Sequence, residues 1–86
     1  MSIKAKILEI PLGYSEALYE GKKYGLSRSD FNGGKSIKVF AEELGGKDFI
    51  SFNYYLTSGE NQLKPCEMPT EKVRHFLFHF EQLEAS

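Results

Sequence analysis

From Asp48 to Leu56 the chain reads Asp-Phe-Ile-Ser-Phe-Asn-Tyr-Tyr-Leu, with Ile50, Phe52, Tyr54 and Leu56 on the even positions and Ser51 and Asn53 among the odd ones. Alternation of this kind marks a strand covered on one side, because successive side chains of a strand point to opposite faces. The stretch is expected to be the central strand, with the face bearing Ser51, Asn53 and Tyr55 left open. Upstream, Ile3 to Leu12 alternates imperfectly: Ile3, Ala5 and Ile7 fall on one side, Leu8 and Ile10 on the other. A strand with a bulge near Ile7 and Leu8, ending at Pro11 on a sheet edge, accommodates that switch. Tyr14 to Tyr19 and Lys22 to Asp30 are expected to pair as a hairpin closed by Glu20-Gly21.

After the breaker Asn32-Gly33-Gly34 the period changes. Ile37, Phe40, Ala41 and Leu44 stand at i, i+3, i+4 and i+7, and Lys38 and Glu42 are spaced for an outward pair. That pattern predicts a short amphipathic helix, ended by Gly45-Gly46. Thr57 to Asn61 reads as a polar turn and Gln62 to Cys66 as a short antiparallel partner of the central strand. Pro69 and Glu71 suit a first helical turn, with Thr70 as a cap. Beyond them Val73, Phe76, Leu77, Phe80 and Leu83 repeat at helical spacing, a stripe wide enough to lie across a sheet. Hairpins dominate over crossovers. The expected fold is therefore α+β, with a four- or five-stranded, mostly antiparallel sheet and two helices packed on one face, in a single domain over residues 1–86.

Composition supports one core. A hydrophobic fraction of 41% and twelve aromatic residues, seven Phe and five Tyr, suffice without a metal or disulfide network. The single cysteine, Cys66, has no internal partner, which fits a reducing, cytoplasmic setting. The chain has no apolar run approaching the roughly 18 residues of a membrane span, and its first residues alternate charged with apolar groups, unlike a signal peptide. Net charge is -1, but residues 1–38 hold seven Lys/Arg against four Asp/Glu, and residues 39–86 hold four against eight. The asymmetry suits a binding face or a head-to-tail contact, or is chance in a short chain.

Several residues carry candidate chemistry. Gly33, Gly34, Lys35 and Ser36 enter the expected helix, and free backbone N–H groups at a helix N-terminus attract anions. The spacing is similar to the end of a phosphate-binding P-loop, but Ser29 stands where that motif needs glycine and no buried parallel strand precedes it, which excludes nucleotide hydrolysis. Lys22, Lys23, Arg28, Lys35 and Lys38, interleaved with Tyr19, Tyr24 and Phe31, have the composition of a single-strand nucleic-acid binder, but a sequence isoelectric point near 6.1 argues against one. His75 and His79 are four apart on the last helix and provide two ligands toward zinc, fewer than the three of a catalytic site or the four of a structural one. Cys66 lies just before a helix, whose positive end favours a thiolate, while Glu67 opposes it. Phe78 falls outside the apolar stripe and, with Tyr55, is a candidate contact for a partner.

On Asn32-Gly33-Gly34, Glu43-Leu44-Gly45-Gly46, Asp48 to Asn53 and Leu63 to Pro69, the chain resembles a small family of uncharacterised bacterial α+β proteins of this length, sometimes loosely labelled peptide methionine sulfoxide reductases. What that resemblance implies for chemistry is confined to Cys66 as a redox thiol. The Gly-Cys-Phe-Trp motif of one reductase class is missing, and a single thiol cannot supply the paired zinc-binding cysteines common in the other.

The residues favour a non-catalytic binding or protein-interaction module using the open face, Ser51, Asn53, Tyr55 and Phe78, and the turn Gly33 to Ser36. The alternative is a thiol-dependent redox protein using Cys66. No cofactor is expected. The expected partner is a protein, a second copy of the chain included, or a small anionic ligand, rather than nucleic acid or membrane.

Overall fold

Alternating apolar residues through the middle of the chain build one antiparallel sheet, and two apolar stripes, one near each end, build the helices that cover one of its faces. The structure is a computed structural model and describes residues 2–57 and 60–83. Its elements are α1 (Ile3–Leu8), β1 (Gly13–Tyr19), β2 (Lys22–Phe31), a 3-10 turn (Asn32–Gly34), β3 (Ser36–Glu43), β4 (Phe49–Thr57), β5 (Glu60–Pro65), α2 (Thr70–His79) and β6 (Glu81–Gln82). The strands lie in the order β5-β4-β3-β2-β1-β6, every neighbour antiparallel. The fold is thus α+β with both helices on one face, as the sequence predicts, and the sheet gains a sixth strand of two residues.

The hairpin of β1 and β2 closes where expected. Glu20 and Gly21 both take positive φ, 52° and 76°, the two-residue turn whose twist matches the strands, and glycine adopts that conformation without steric cost. Beneath the helices, β3 contributes Ile37, Val39 and Ala41, and β4 contributes Ile50, Phe52 and Tyr54, all buried. They join Val73, Phe76 and Leu77 of α2 in one apolar cluster. Each fully buried large side chain stabilises the fold by about 1.5 to 3 kcal/mol before ordering entropy is subtracted.

Two segments exchange roles relative to the sequence expectation. The helix expected over Ile37 to Leu44 is the strand β3, and the strand expected over Ile3 to Leu12 is the helix α1. In β3 the decisive pattern is Ile37, Val39 and Ala41 inward against Lys38, Phe40 and Glu42 outward, a period of two that β-branched residues support. In α1 it is Ile3, Ile7 and Ile10 at i, i+4 and i+7, with Ser2 as the N-cap accepting from the Ala5 amide at 3.0 Å. Arg28 holds the end of this segment to the sheet: its Nη1 donates to the Ile10 carbonyl at 2.6 Å while Asp30 accepts from Nε and Nη2 at 3.0 Å each.

β4 is one place from the sheet edge, between β3 and β5, rather than central. Leu83 lies outside α2, because the chain becomes extended at Phe80 and runs into β6 beside β1. The turn expected at Thr57 to Asn61 includes Ser58 and Gly59, which lie outside the described residues.

Candidate functional site

The face that the helices leave uncovered can be read off the strand register. Outward positions are Tyr14, Glu16 and Leu18 on β1, Lys23, Gly25 and Ser27 on β2, Lys38, Phe40 and Glu42 on β3, and Phe49, Ser51, Asn53 and Tyr55 on β4. Two aromatic groups dominate it. Phe40, 38% exposed, stacks on Phe49 across the strands, ring centroids 6.0 Å apart. Tyr14, 63% exposed, lies over Gly25: a Cβ at Gly25 would stand 2.6 Å from its hydroxyl oxygen. Glycine at that position therefore lets the ring lie against the backbone of the sheet. Leu44, exposed just past β3 beside Lys23, extends the apolar area. Where β3 turns into β4, Phe40 and Phe49 floor a hollow of about 320 Å³ rimmed by Glu42, Glu43, Lys47 and Asp48.

The residues chosen from sequence occupy this face unevenly. Ser51 is only 8% exposed, and Asn53 and Tyr55 are half-buried. Phe78 is on α2, on the helix-covered side of the sheet, with the Arg74 guanidinium 5.8 Å from its ring centre, so it does not join Tyr55 in one surface. Phe40, Phe49 and Tyr14 are the residues that sequence reasoning missed. A period of two through Lys38-Val39-Phe40-Ala41-Glu42 was the signal that places Phe40 outward.

No family model, curated protein or solved structure matches this chain significantly. The chemistry of each remaining candidate must therefore come from its own geometry.

At Gly33 to Ser36 no helix begins. The 3-10 turn passes directly into β3, with the Lys35 amide donating to the Asn32 carbonyl at 3.3 Å and Asn32 Nδ2 donating to Ser36 Oγ at 3.1 Å. The anion site expected there thus lacks the aligned N–H groups that would have made it. Lys35 and Ser36 instead line a broad open hollow of about 790 Å³ with Lys4, Asn32, Tyr55 and Asn61. Tyr19 and Tyr24 of the basic segment are buried in the core, which leaves no pair of stacking rings among its lysines.

His75 and His79 stack on each other at 4.1 Å between ring centroids. The His75 Nδ1 is hydrogen-bonded to the Tyr19 hydroxyl, and the His79 Nδ1–H donates to the His75 carbonyl at 2.8 Å. Among the described residues no group of three or more His, Cys, Asp or Glu side chains is placed to hold a metal ion. Cys66, half-buried, continues the line of β5: its amide donates to the Ser51 carbonyl at 2.9 Å and its Sγ lies 3.6 Å from Asn53 Nδ2.

A polar cluster that the sequence did not reveal ties α2 to the sheet. Asp48, in the connection from β3 to β4, accepts from Tyr24 Oη at 2.9 Å and from Lys72 Nζ at 2.6 Å. The Lys72 hydrogen bond, with help from Tyr24, holds the Asp48 carboxyl below the usual carboxylate range. Burial, followed by the bond to Asp48, pushes the Tyr24 phenol well above its ordinary value, and burial also raises that of Tyr19. Near neutral pH the cluster is therefore an ionised carboxylate between an ammonium and a protonated phenol. It works as a clamp between hairpin and helix.

Proposed function

We propose that this chain is a non-catalytic binding module whose uncovered sheet face holds a protein partner. One observation carries this reading: Phe40 on β3 and Tyr14 on β1 remain exposed on that face, although the same chain buries Phe52, Phe76 and Phe80 on the helix-covered side. Exposed aromatic surface rimmed by charge is the usual composition of a protein contact. The edges of the sheet are poor alternatives. β5 ends in Pro65 and carries Lys64, and β6 has only two residues, both features that discourage strand addition.

A cytoplasmic setting accords with the lone thiol of Cys66. Among the described residues no helix is long and apolar enough to cross a membrane.

Affinity capture from the native host tests the reading with two variants. Phe40→Asp should lose the captured protein and Cys66→Ser should keep it. Methionine sulfoxide or peroxide turnover that disappears in Cys66→Ser would instead support the thiol-dependent alternative. Capture that survives Phe40→Asp would remove the uncovered face as the binding surface.

A further inference from the structure

We infer that the partner of the uncovered face is a second copy of this chain, docked face to face about a two-fold axis that crosses the strands and sets Lys38 of each copy against Glu42 of the other. The pairing, which rests on the uncovered face being the binding surface, follows from the order of side chains along β3. Lys38, Phe40 and Glu42 occupy successive outward positions, which places a cation and an anion about 6 to 7 Å to either side of an exposed ring. Among the described residues neither Lys38 nor Glu42 makes an ion pair, whereas the neighbouring Lys23 and Glu16 meet at 3.7 Å.

A contact between identical faces needs a two-fold axis lying in the plane between them, and the charges choose its direction. An axis along the strands stacks Lys38 on Lys38 and Glu42 on Glu42. An axis across the strands reverses their direction, so that Lys38 meets Glu42 twice, Phe40 meets Phe40 at the centre and Tyr14 meets Tyr14 over β1. The second arrangement is ordinary sheet-on-sheet packing, about 10 Å apart with strands about 30° from alignment, a separation that Lys and Glu side chains bridge. The longer dimensions of the molecule, 38 and 29 Å, bound a face broad enough for a standard interface. Such an interface takes about 800 Å² from each partner.

Sedimentation velocity of the full chain, with charge variants, decides the matter over roughly 1 μM to 1 mM, the range of weak to moderate association. Wild type should form dimers. Lys38→Glu and Glu42→Lys should each weaken the dimer about tenfold or more, since each opposes like charges twice. The doubly exchanged chain, Lys38→Glu with Glu42→Lys, should recover wild-type affinity. Both positions are exposed, so the variants should keep the wild-type circular dichroism spectrum, and the exchange carries the test even if Phe40→Asp fails to fold. A wild type that stays monomeric, single variants that dimerise unchanged, or a double variant no better than the singles would overturn the pairing. If wild type is monomeric while Phe40→Asp still abolishes capture of a host protein, only the self-pairing falls. If a folded Phe40→Asp changes neither association nor capture, the uncovered face itself is wrong.

Discussion

Phe76→Ala should bring this protein close to unfolding at room temperature. The ring has no exposed surface and packs against Tyr19, Phe80 and Tyr24 at centroid distances of 4.9, 5.2 and 6.0 Å. Truncating a buried phenylalanine costs about 3 to 5 kcal/mol, the larger figures belonging to sites that cannot collapse into the cavity. Here collapse is opposed, because the Tyr19 hydroxyl is bonded to His75 and the Tyr24 hydroxyl to Asp48. The cost should thus lie near 4 to 5 kcal/mol, against a total stability of about 4 to 13 kcal/mol for a chain of this length. Phe78→Ala is the control: two residues along the same helix and 36% exposed, it should cost under about 1 kcal/mol. Urea unfolding at 25 °C, followed by far-UV circular dichroism, should show the Phe76 midpoint lowered by at least about 2 M, for a denaturant slope near 1 to 1.5 kcal/mol per M. If the two variants fall within about 1 kcal/mol of each other, the placement of α2 on the sheet is refuted.

Further outcomes test other parts of the structure. Ile7→Ala should cost about 2 to 4 kcal/mol and Ser2→Ala about 0.5 to 1 kcal/mol, if the first residues are a docked and capped helix; an edge strand would make the Ser2 change silent. Asp48→Asn should lose about 0.5 to 1 kcal/mol at pH 7, modest because Asp48 and Lys72 remain 39% and 37% exposed and water screens them. The folded carboxyl titrates below its unfolded value, so this stability is present above about pH 4 and is lost as pH falls through the folded pKa. The gap between wild type and Asp48→Asn should therefore shrink in urea titrations as pH falls below about 4, and a gap that does not shrink there would contradict the ion pair. At the other end, Tyr24 holds its proton more tightly when folded, so its contribution is intact below about pH 10 and declines as pH rises through the folded value. Tyr24→Phe should accordingly lose less stability than wild type as pH rises above about 10, as measured by thermal unfolding.

The fold class was legible in the sequence because its strongest signals were long and regular. The alternation at Ile50, Phe52 and Tyr54 and the helical stripe at Val73, Phe76 and Leu77 each find their expected burial. The two exchanged segments were ambiguous for an identifiable reason. Over eight residues, Ile37 to Leu44 satisfies helical spacing through Ile37, Phe40, Ala41 and Leu44 and strand spacing through Ile37, Val39 and Ala41, and only pairing with β2 and β4 decides. Counting Phe40 as part of an apolar stripe buried it, and an outward Phe40 is what makes the uncovered face apolar. The clamp of Tyr24, Asp48 and Lys72 was beyond local pattern altogether, since 24 residues separate Asp48 from each partner.

The division between the two faces follows from the amount of helix available. α1 has six residues and α2 has ten, roughly 9 and 15 Å of helix against a sheet of six strands nearly 5 Å apart, which suffices for one face only. Lys72 anchors α2 through Asp48 to the start of β4, and Arg28 anchors the end of α1 to β2, so the helices are held to the side they cover. Among the described residues no segment shields the opposite side. A sheet in that position ordinarily carries polar outward residues. Here β3 carries Phe40 between Lys38 and Glu42, and β1 carries Tyr14 over a glycine that allows its ring to approach the sheet closely. Those rings give up favourable burial as long as the face is bare, at about 25 cal/mol for each Å² of apolar surface left in water. On the proposed reading that free energy is recovered when another surface covers them, and the charges on either side of Phe40 limit which surfaces fit.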